Sequence, residues 1–126
     1  MSLRTPLGRV LGLGTAKDGT SHWWAQRVSA IALAILGLWF AWCLASMTDF
    51  GYVSVVAEIG RPINNILLLL LSMTLAYHSN LGIQVIIEDY VHTPGIKMLA
   101  LITSRFLHIL LAAAAVFALL KIGLNA

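Results

Sequence analysis

Residues 63–87 read INNILLLLLSMTLAYHSNLGIQVII and contain no charged side chain. A helix that crosses a bilayer needs about 20 mostly apolar residues, so this stretch is long enough to span one. At a rise of 1.5 Å per residue it would measure roughly 37 Å as a helix, which exceeds the hydrocarbon layer of about 30 Å. We therefore predict a transmembrane helix that tilts or protrudes, with its Glu88 end outside the hydrocarbon.

Two further apolar stretches lie on either side of this one. Residues 28–47 carry no charge, and residues 98–120 are interrupted only by Arg105 and His108. The 126-residue chain is 60% hydrophobic and only 10% charged, whereas soluble domains have about 25% charged residues. We predict an all-α integral membrane protein, a single domain with three transmembrane helices at about 26–48, 62–88 and 97–121. A basic cytoplasmic tail at 1–21 precedes the first helix.

The distribution of basic residues predicts the orientation, because cytoplasmic segments carry an excess of Lys and Arg. Five basic residues fall on one side of the predicted spans and two on the other: Arg4, Arg9, Lys17, Arg27 and Lys97 against Arg61 and Lys121. We predict a cytoplasmic amino terminus and a periplasmic carboxyl terminus in a bacterial inner membrane.

His78 is the sharpest candidate for chemistry. It lies about 15 Å from the cytoplasmic end of the second span, where an ionisable group is costly and indicates function. Imidazole is a common ligand of haem iron, and Gly82, one turn later on the same face, would let a flat macrocycle approach the helix. Val85 and Asp89 continue this face. Depth and spacing leave a second interpretation open, a neutral histidine hydrogen-bonded to a neighbouring helix.

Three residues near the cytoplasmic interface are weaker candidates. Tyr90 is typical of the aromatic belt and Asp89 of a solvated acid, although a phenol can donate to a carbonyl and a carboxylate can orient it. Arg27 is typical of a topology anchor, although a guanidinium also pairs well with cofactor carboxylates. Arg105 and His108 could line a polar site within the third span, but nothing else on that helix supports one.

The sequence lacks a phosphate loop, a nucleotide-binding fingerprint and a cysteine cluster for iron–sulfur or zinc. Its single cysteine, Cys43, lies in an apolar run and is expected to be a structural thiol. With one deep histidine as its best ligand, the chain supplies half of a bis-histidine haem site. The second ligand must come from another polypeptide, so the chain should be a subunit.

Two segments resemble the hydrophobic membrane-anchor subunit of succinate dehydrogenase, or complex II. One is His78-Ser79-Asn80-Leu81-Gly82 with its continuation to Asp89-Tyr90-Val91-His92, and the other is the segment HWWAQRVSA at 22–30. The histidine, the glycine four residues later and the Asp-Tyr pair at the helix end all match the family's spacing. The resemblance covers most of the chain from His22 onward, and the third span agrees only in apolarity and length.

The resemblance implies a set of cofactors and roles. His78 would be one axial ligand of haem b, with the other from a second membrane anchor subunit of the cytochrome b type. Gly82 would pack closely on the haem, and Arg27 would approach a haem propionate. Tyr90 would hydrogen-bond ubiquinone, with Asp89 close by. Succinate oxidation would belong to a flavoprotein subunit, and an iron–sulfur subunit would pass electrons to the quinone.

Two other interpretations remain. The chain could anchor a fumarate reductase, because direction depends on cofactor potentials and quinone type. It could also be a small membrane protein without a cofactor. That interpretation does not explain why Gly82 and Asp89 lie on the same helix face as His78.

Overall fold

The computed structural model describes residues 19–125 and contains four helices there: α1 (Gly19–Ser46), α2 (Tyr52–Gly60), α3 (Pro62–Tyr90) and α4 (Pro94–Leu124). Helices α1, α3 and α4 are long and apolar enough to cross a membrane. The prediction of an all-α protein with three transmembrane helices is confirmed. Of the predicted tail, residues 1–18 lie outside the described range, and α1 begins at Gly19.

Helix α3 is the centre of the fold. Helix α1 packs against one side of it and α4 against the other, whereas the backbones of α1 and α4 do not approach each other within the described residues. This open arrangement buries little: Leu81 is the one buried hydrophobic residue between residues 19 and 125. Large apolar side chains such as Leu38, Trp42 and Phe117 face outward instead. Apolar side chains on the outer surface are suited to contact with lipid or with a partner helix, because both surroundings are apolar.

The connection between the first two spans contains a short helix that the sequence analysis did not predict. Helix α2 packs against α3 and α4 at the end of the molecule where α3 begins. Asp49 precedes it and accepts hydrogen bonds from the Gly51 N–H (2.9 Å) and the Ser54 hydroxyl. The hydrogen bond from Ser54, and to a smaller extent that from Gly51, lowers the pKa of the Asp49 carboxyl. The Asp49–Ser54 pair thus satisfies polar groups at the start of a helix.

The connection between α3 and α4 is short and consists of residues 91–93. Pro94 occupies the first turn of α4. Proline suits this position, because the first turn of a helix leaves its backbone N–H groups unpaired anyway. Lys97 closes the turn by donating from Nζ to the Glu88 carbonyl at 2.7 Å.

Asn65 links three helices at the opposite end of the bundle. Its side chain is buried, and Nδ2 donates to the Leu119 carbonyl of α4 (2.8 Å) and to the Ile59 carbonyl of α2 (3.2 Å). Gly123 faces this amide so closely that a Cβ there would lie 2.7 Å from the Asn65 Oδ1 and Cγ atoms. The glycine therefore makes room for the interhelical hydrogen bonds.

Gly123→Ala is expected to destabilise the bundle, because the new methyl group must displace the Asn65 amide. Interhelical hydrogen bonds in membranes contribute about 0.6–2 kcal/mol, so a loss of about 1 kcal/mol is expected. Thermal unfolding in detergent should show a lower midpoint for the variant. Gly37→Ala is the matched control, since a Cβ at Gly37 would have no atom of another part of residues 19–125 within 4 Å. Equal midpoints for both variants would contradict this role of Gly123.

Candidate functional site

His78 lies in the middle of α3 and faces α1. It is twelve residues before the last residue of α3, a distance of about 18 Å along the helix axis. The ring is half-buried, at the level where α1 and α3 pack together. The structure therefore places the deep histidine between two helices rather than on the open outer face of α3.

Both nitrogens of the His78 ring meet polar side chains of α1. Nδ1 lies 2.9 Å from the Ser29 hydroxyl oxygen, and Nε2 lies 3.3 Å from the Gln26 amide nitrogen. The ring is thereby fixed between residues one helical turn apart on α1. These contacts match the geometry of a histidine held by a neighbouring helix. Hydrogen bonds of this kind also orient the ring of a histidine that binds a metal.

Gly82 lies one turn after His78 and faces the same part of α1. A Cβ at Gly82 would have one neighbour within 4 Å, the Gln26 amide nitrogen at 3.6 Å. That distance is ordinary van der Waals contact, so the packing of α1 does not by itself require a glycine here. Something closer than Gln26 would be needed to account for the missing side chain.

The contacts of His78 belong to a polar seam on α1, formed by His22, Gln26 and Ser29. Spacings of four and three residues put these side chains on one face of the helix. Two buried atoms in the seam, His22 Nε2 and Gln26 Oε1, have no hydrogen-bond partner among the described residues. Unpaired buried polar atoms are costly and need an explanation, which suggests that the seam is incomplete without another molecule.

His78, with the polar seam beside it, could supply one protein ligand to a haem. No group of three or more His, Cys, Asp or Glu side chains that could hold a metal ion occurs within residues 19–125. A haem requires fewer protein ligands, and one imidazole at this depth supplies one of them. Because Gln26 is a flexible side chain, its amide can move from the Nε2 position without a change in the helix backbone.

Arg27 is placed differently from the seam. It is exposed, and its guanidinium lies over the ring of Trp23 at 5.1 Å from the centroid, in cation–π geometry. Trp23 in turn meets Trp24 edge to face at 5.0 Å. The structure does not bring Arg27 into contact with His78. It leaves the guanidinium at the surface near the start of α1, free to meet a group outside this chain.

Asp89 and Tyr90 end α3 at the surface. Tyr90 is 78% exposed, and neither side chain makes a hydrogen bond to any of residues 19–125. They lie more than two turns from His78, so this chain does not bring them into one site with it. A hydroxyl and a carboxylate presented side by side at a helix end are available to a ligand or to a partner subunit.

Arg105 and His108, the weaker polar candidates of the third span, lie in a groove between α3 and α4. A cavity of about 340 Å³ is lined there by both residues together with Tyr77 and Asn80. His108 donates from Nδ1 to the Ser104 carbonyl of its own helix at 2.7 Å. This bond satisfies one ring nitrogen locally, so His108 has less need of an external partner than His78.

Most of the chain matches a known family. Residues 1–120 match the family model described as "Succinate dehydrogenase/Fumarate reductase transmembrane subunit". This chain belongs to that family. The resemblance seen in the sequence is therefore confirmed, and it extends beyond the segments that first indicated it.

Several relatives in this family are named as anchor subunits. The "Succinate dehydrogenase hydrophobic membrane anchor subunit" of Rickettsia bellii is 32% identical over 120 residues, which cover 95% of this chain and 96% of that protein. The protein of the same name from Paracoccus denitrificans is 34% identical, with 97% and 94% covered. The "Succinate dehydrogenase membrane anchor subunit" of Reclinomonas americana is 32% identical, with 74% and 80% covered. The similarity thus runs through all three spans.

Proposed function

We propose that this chain is the membrane anchor subunit of a succinate:ubiquinone oxidoreductase. Its membership of the transmembrane-subunit family supports this proposal, together with relatives of nearly equal length that are named as succinate dehydrogenase anchors. Three spans joined by short connections make up most of residues 19–125, as an anchoring role requires. Succinate oxidation would then take place on a flavoprotein subunit, and an iron–sulfur subunit would carry electrons to the membrane.

In this proposal His78 would hold the iron of haem b from this chain, and a histidine of the second anchor subunit would hold it from the other. The observation that supports it is the half-buried imidazole at the middle of α3, whose neighbour Gln26 leaves a buried oxygen unpaired. A bound haem b would supply one-electron redox chemistry. Gly82 provides close approach on the same face as His78, and Arg27 offers a cation for a propionate.

Tyr90 and Asp89 are proposed to contribute to the quinone site. A phenol hydroxyl can donate a hydrogen bond to a quinone carbonyl, and a carboxylate beside it can hold or relay a proton. Both side chains are exposed at the end of α3 and are not engaged within residues 19–125. A site that is completed by the iron–sulfur and second anchor subunits requires such unengaged groups.

The cytoplasmic membrane of a bacterium is the proposed location, with the amino terminus inside. Basic residues are in excess in the amino-terminal tail and at the ends of the spans that lie on the same side of the membrane, and this excess supports the orientation. It also puts Tyr90 on the same side as soluble subunits that would act on cytoplasmic succinate. The docking surface for those subunits would be the face formed by the start of α1 and the turn after α3.

A second candidate, the anchor of a fumarate reductase, shares the same family description. The two activities use the same anchoring role and differ in the direction of electron flow. An anchor with two haems would need more than one histidine near the middle of a span. Besides His78, the described residues offer His108 there, which is bonded to its own helix, whereas His22 lies in the first turn of α1. The single well-placed His78 therefore favours a one-haem succinate dehydrogenase.

The proposal is tested by purification of the full complex through a tag on this chain. We expect a flavoprotein and an iron–sulfur protein to co-purify, with one b-type haem visible in the reduced-minus-oxidised spectrum. Succinate should reduce ubiquinone in this preparation. A colourless chain that purifies without soluble partners would reject the proposal and favour a cofactor-free membrane protein. Activity that favours fumarate reduction by a menaquinol would instead support the second candidate.

A further inference from the structure

Ser29 is the most buried polar side chain of α1 among the described residues, with 6% of its surface exposed. Its hydroxyl oxygen lies 2.7 Å from the Ala25 carbonyl and 3.1 Å from the Gln26 carbonyl, both on its own helix. The same oxygen lies 2.9 Å from His78 Nδ1 on α3. Ser29 therefore connects the backbone of α1 directly to the proposed haem ligand.

The protons of this network can be assigned from its donors and acceptors. A serine hydroxyl has one proton and two lone pairs. The short bond to the Ala25 carbonyl uses that proton, so the lone pairs of Ser29 face His78 and Nδ1 must carry the hydrogen. With its amide nitrogen toward the ring, as the structure has it, Gln26 donates and Nε2 accepts with its lone pair. In the opposite tautomer, the Nε2–H and the Gln26 amide N–H would be two donors that face each other without an acceptor.

We propose that Ser29 is a positioning residue that selects this tautomer of His78 and presents Nε2 as the iron ligand. This inference rests on the proposed haem function. A ligating histidine nearly always donates its other N–H to a fixed acceptor, which orients the ring and raises its basicity. Here the acceptor is a buried hydroxyl that its own helix holds in place. Gln26 is the group that moves aside when Nε2 binds iron.

Ser29 should therefore tune the haem and not only hold the helices together. Without the acceptor, the Nδ1–H donates less strongly, Nε2 is a weaker donor to iron, and the ferric state loses stabilisation. Ser29→Ala is expected to raise the midpoint potential of the haem. Since loss of an outer-shell partner costs about 10- to 100-fold in metal affinity, haem loss to an apoprotein acceptor should be at least about tenfold faster.

The experiment uses the complete complex with three variants. Ser29→Ala removes the hydroxyl, and Ser29→Thr keeps it on a side chain that makes the same backbone bond. Ser46→Ala is the control, because Ser46 lies on the same helix and bonds the Trp42 carbonyl at 2.8 Å but does not contact a histidine. We expect the potential and the ferric paramagnetic resonance signal to change in Ser29→Ala only. Thermal unfolding of all three preparations reports separately on helix packing.

Two results would overturn the positioning role. One is a Ser29→Ala complex with the potential, resonance signal and haem retention of the wild type. The other is a Ser29→Thr complex as strongly altered as Ser29→Ala, which would indicate a packing effect. In either case a haem spectrum that still depends on His78 leaves the proposed function intact. A spectrum that is independent of His78 instead rejects the haem proposal itself.

Discussion

His78→Ala is expected to remove or strongly perturb the b-type haem spectrum of the complex. The variant loses the proposed axial nitrogen in the middle of α3, and outer-shell losses alone already cost about 10- to 100-fold in metal affinity. Loss of the ligand should cost more. The measurement is the reduced-minus-oxidised spectrum with haem quantified per complex. His78→Gln tests the same point with a side chain that can still hydrogen-bond Ser29.

His108→Ala provides the matched control for this prediction. His108 is also a half-buried histidine within a transmembrane helix, but its Nδ1 bonds the Ser104 carbonyl of α4 and it faces the groove beside α3. Its substitution is expected to leave the spectrum unchanged. A wild-type spectrum in both His78 variants would show that the ring is only a structural link between α1 and α3. A spectrum lost in His108→Ala would move the ligand to α4.

The three spans could be predicted from the sequence because their cause is local. A long uncharged, apolar run such as 63–87 is unstable in water and partitions into the bilayer. Its length then indicates that it crosses the bilayer as a single helix. Helix α2 could not be found in this way, because its nine residues are too few to span the bilayer. Asp49 and Glu58 also made this segment look like a polar connection. A pattern was present: Val55 and Ile59 are four residues apart on one face of the helix, and both are half-buried.

The candidate site was predictable only in part, for a related reason. The depth of His78 follows from counting residues along one helix, so the sequence could indicate an unusual histidine. The identity of its partners depends on which face of α1 meets α3, and a single sequence does not contain that pairing. Ser29 and Gln26 were therefore missed as contacts, although the spacing of His22, Gln26 and Ser29 marks one polar face of an apolar helix.

Tyr90→Phe is expected to lower succinate:ubiquinone reductase activity by about 100-fold, while succinate oxidation with an artificial electron acceptor persists. The substitution removes only the phenol hydroxyl, and a positioned proton donor commonly contributes about 10²–10⁴-fold to a rate. Because Tyr90 is 78% exposed and unengaged within residues 19–125, its loss should not affect the helix bundle. The two assays on the same purified complex separate quinone chemistry from succinate chemistry.

Tyr52→Phe is the matched control, since Tyr52 is 82% exposed and begins α2 at the opposite end of the molecule. It is expected to leave both activities unchanged, because the proposed orientation puts it on the periplasmic side. Equal loss of both activities in Tyr90→Phe would indicate misassembly, and unchanged quinone reduction would place the quinone contact on another subunit. If Tyr52→Phe alone impairs quinone reduction, the quinone site lies at the opposite end of α3. Selective loss in Tyr90→Phe instead ties the quinone site to the cytoplasmic end of the helix that carries His78.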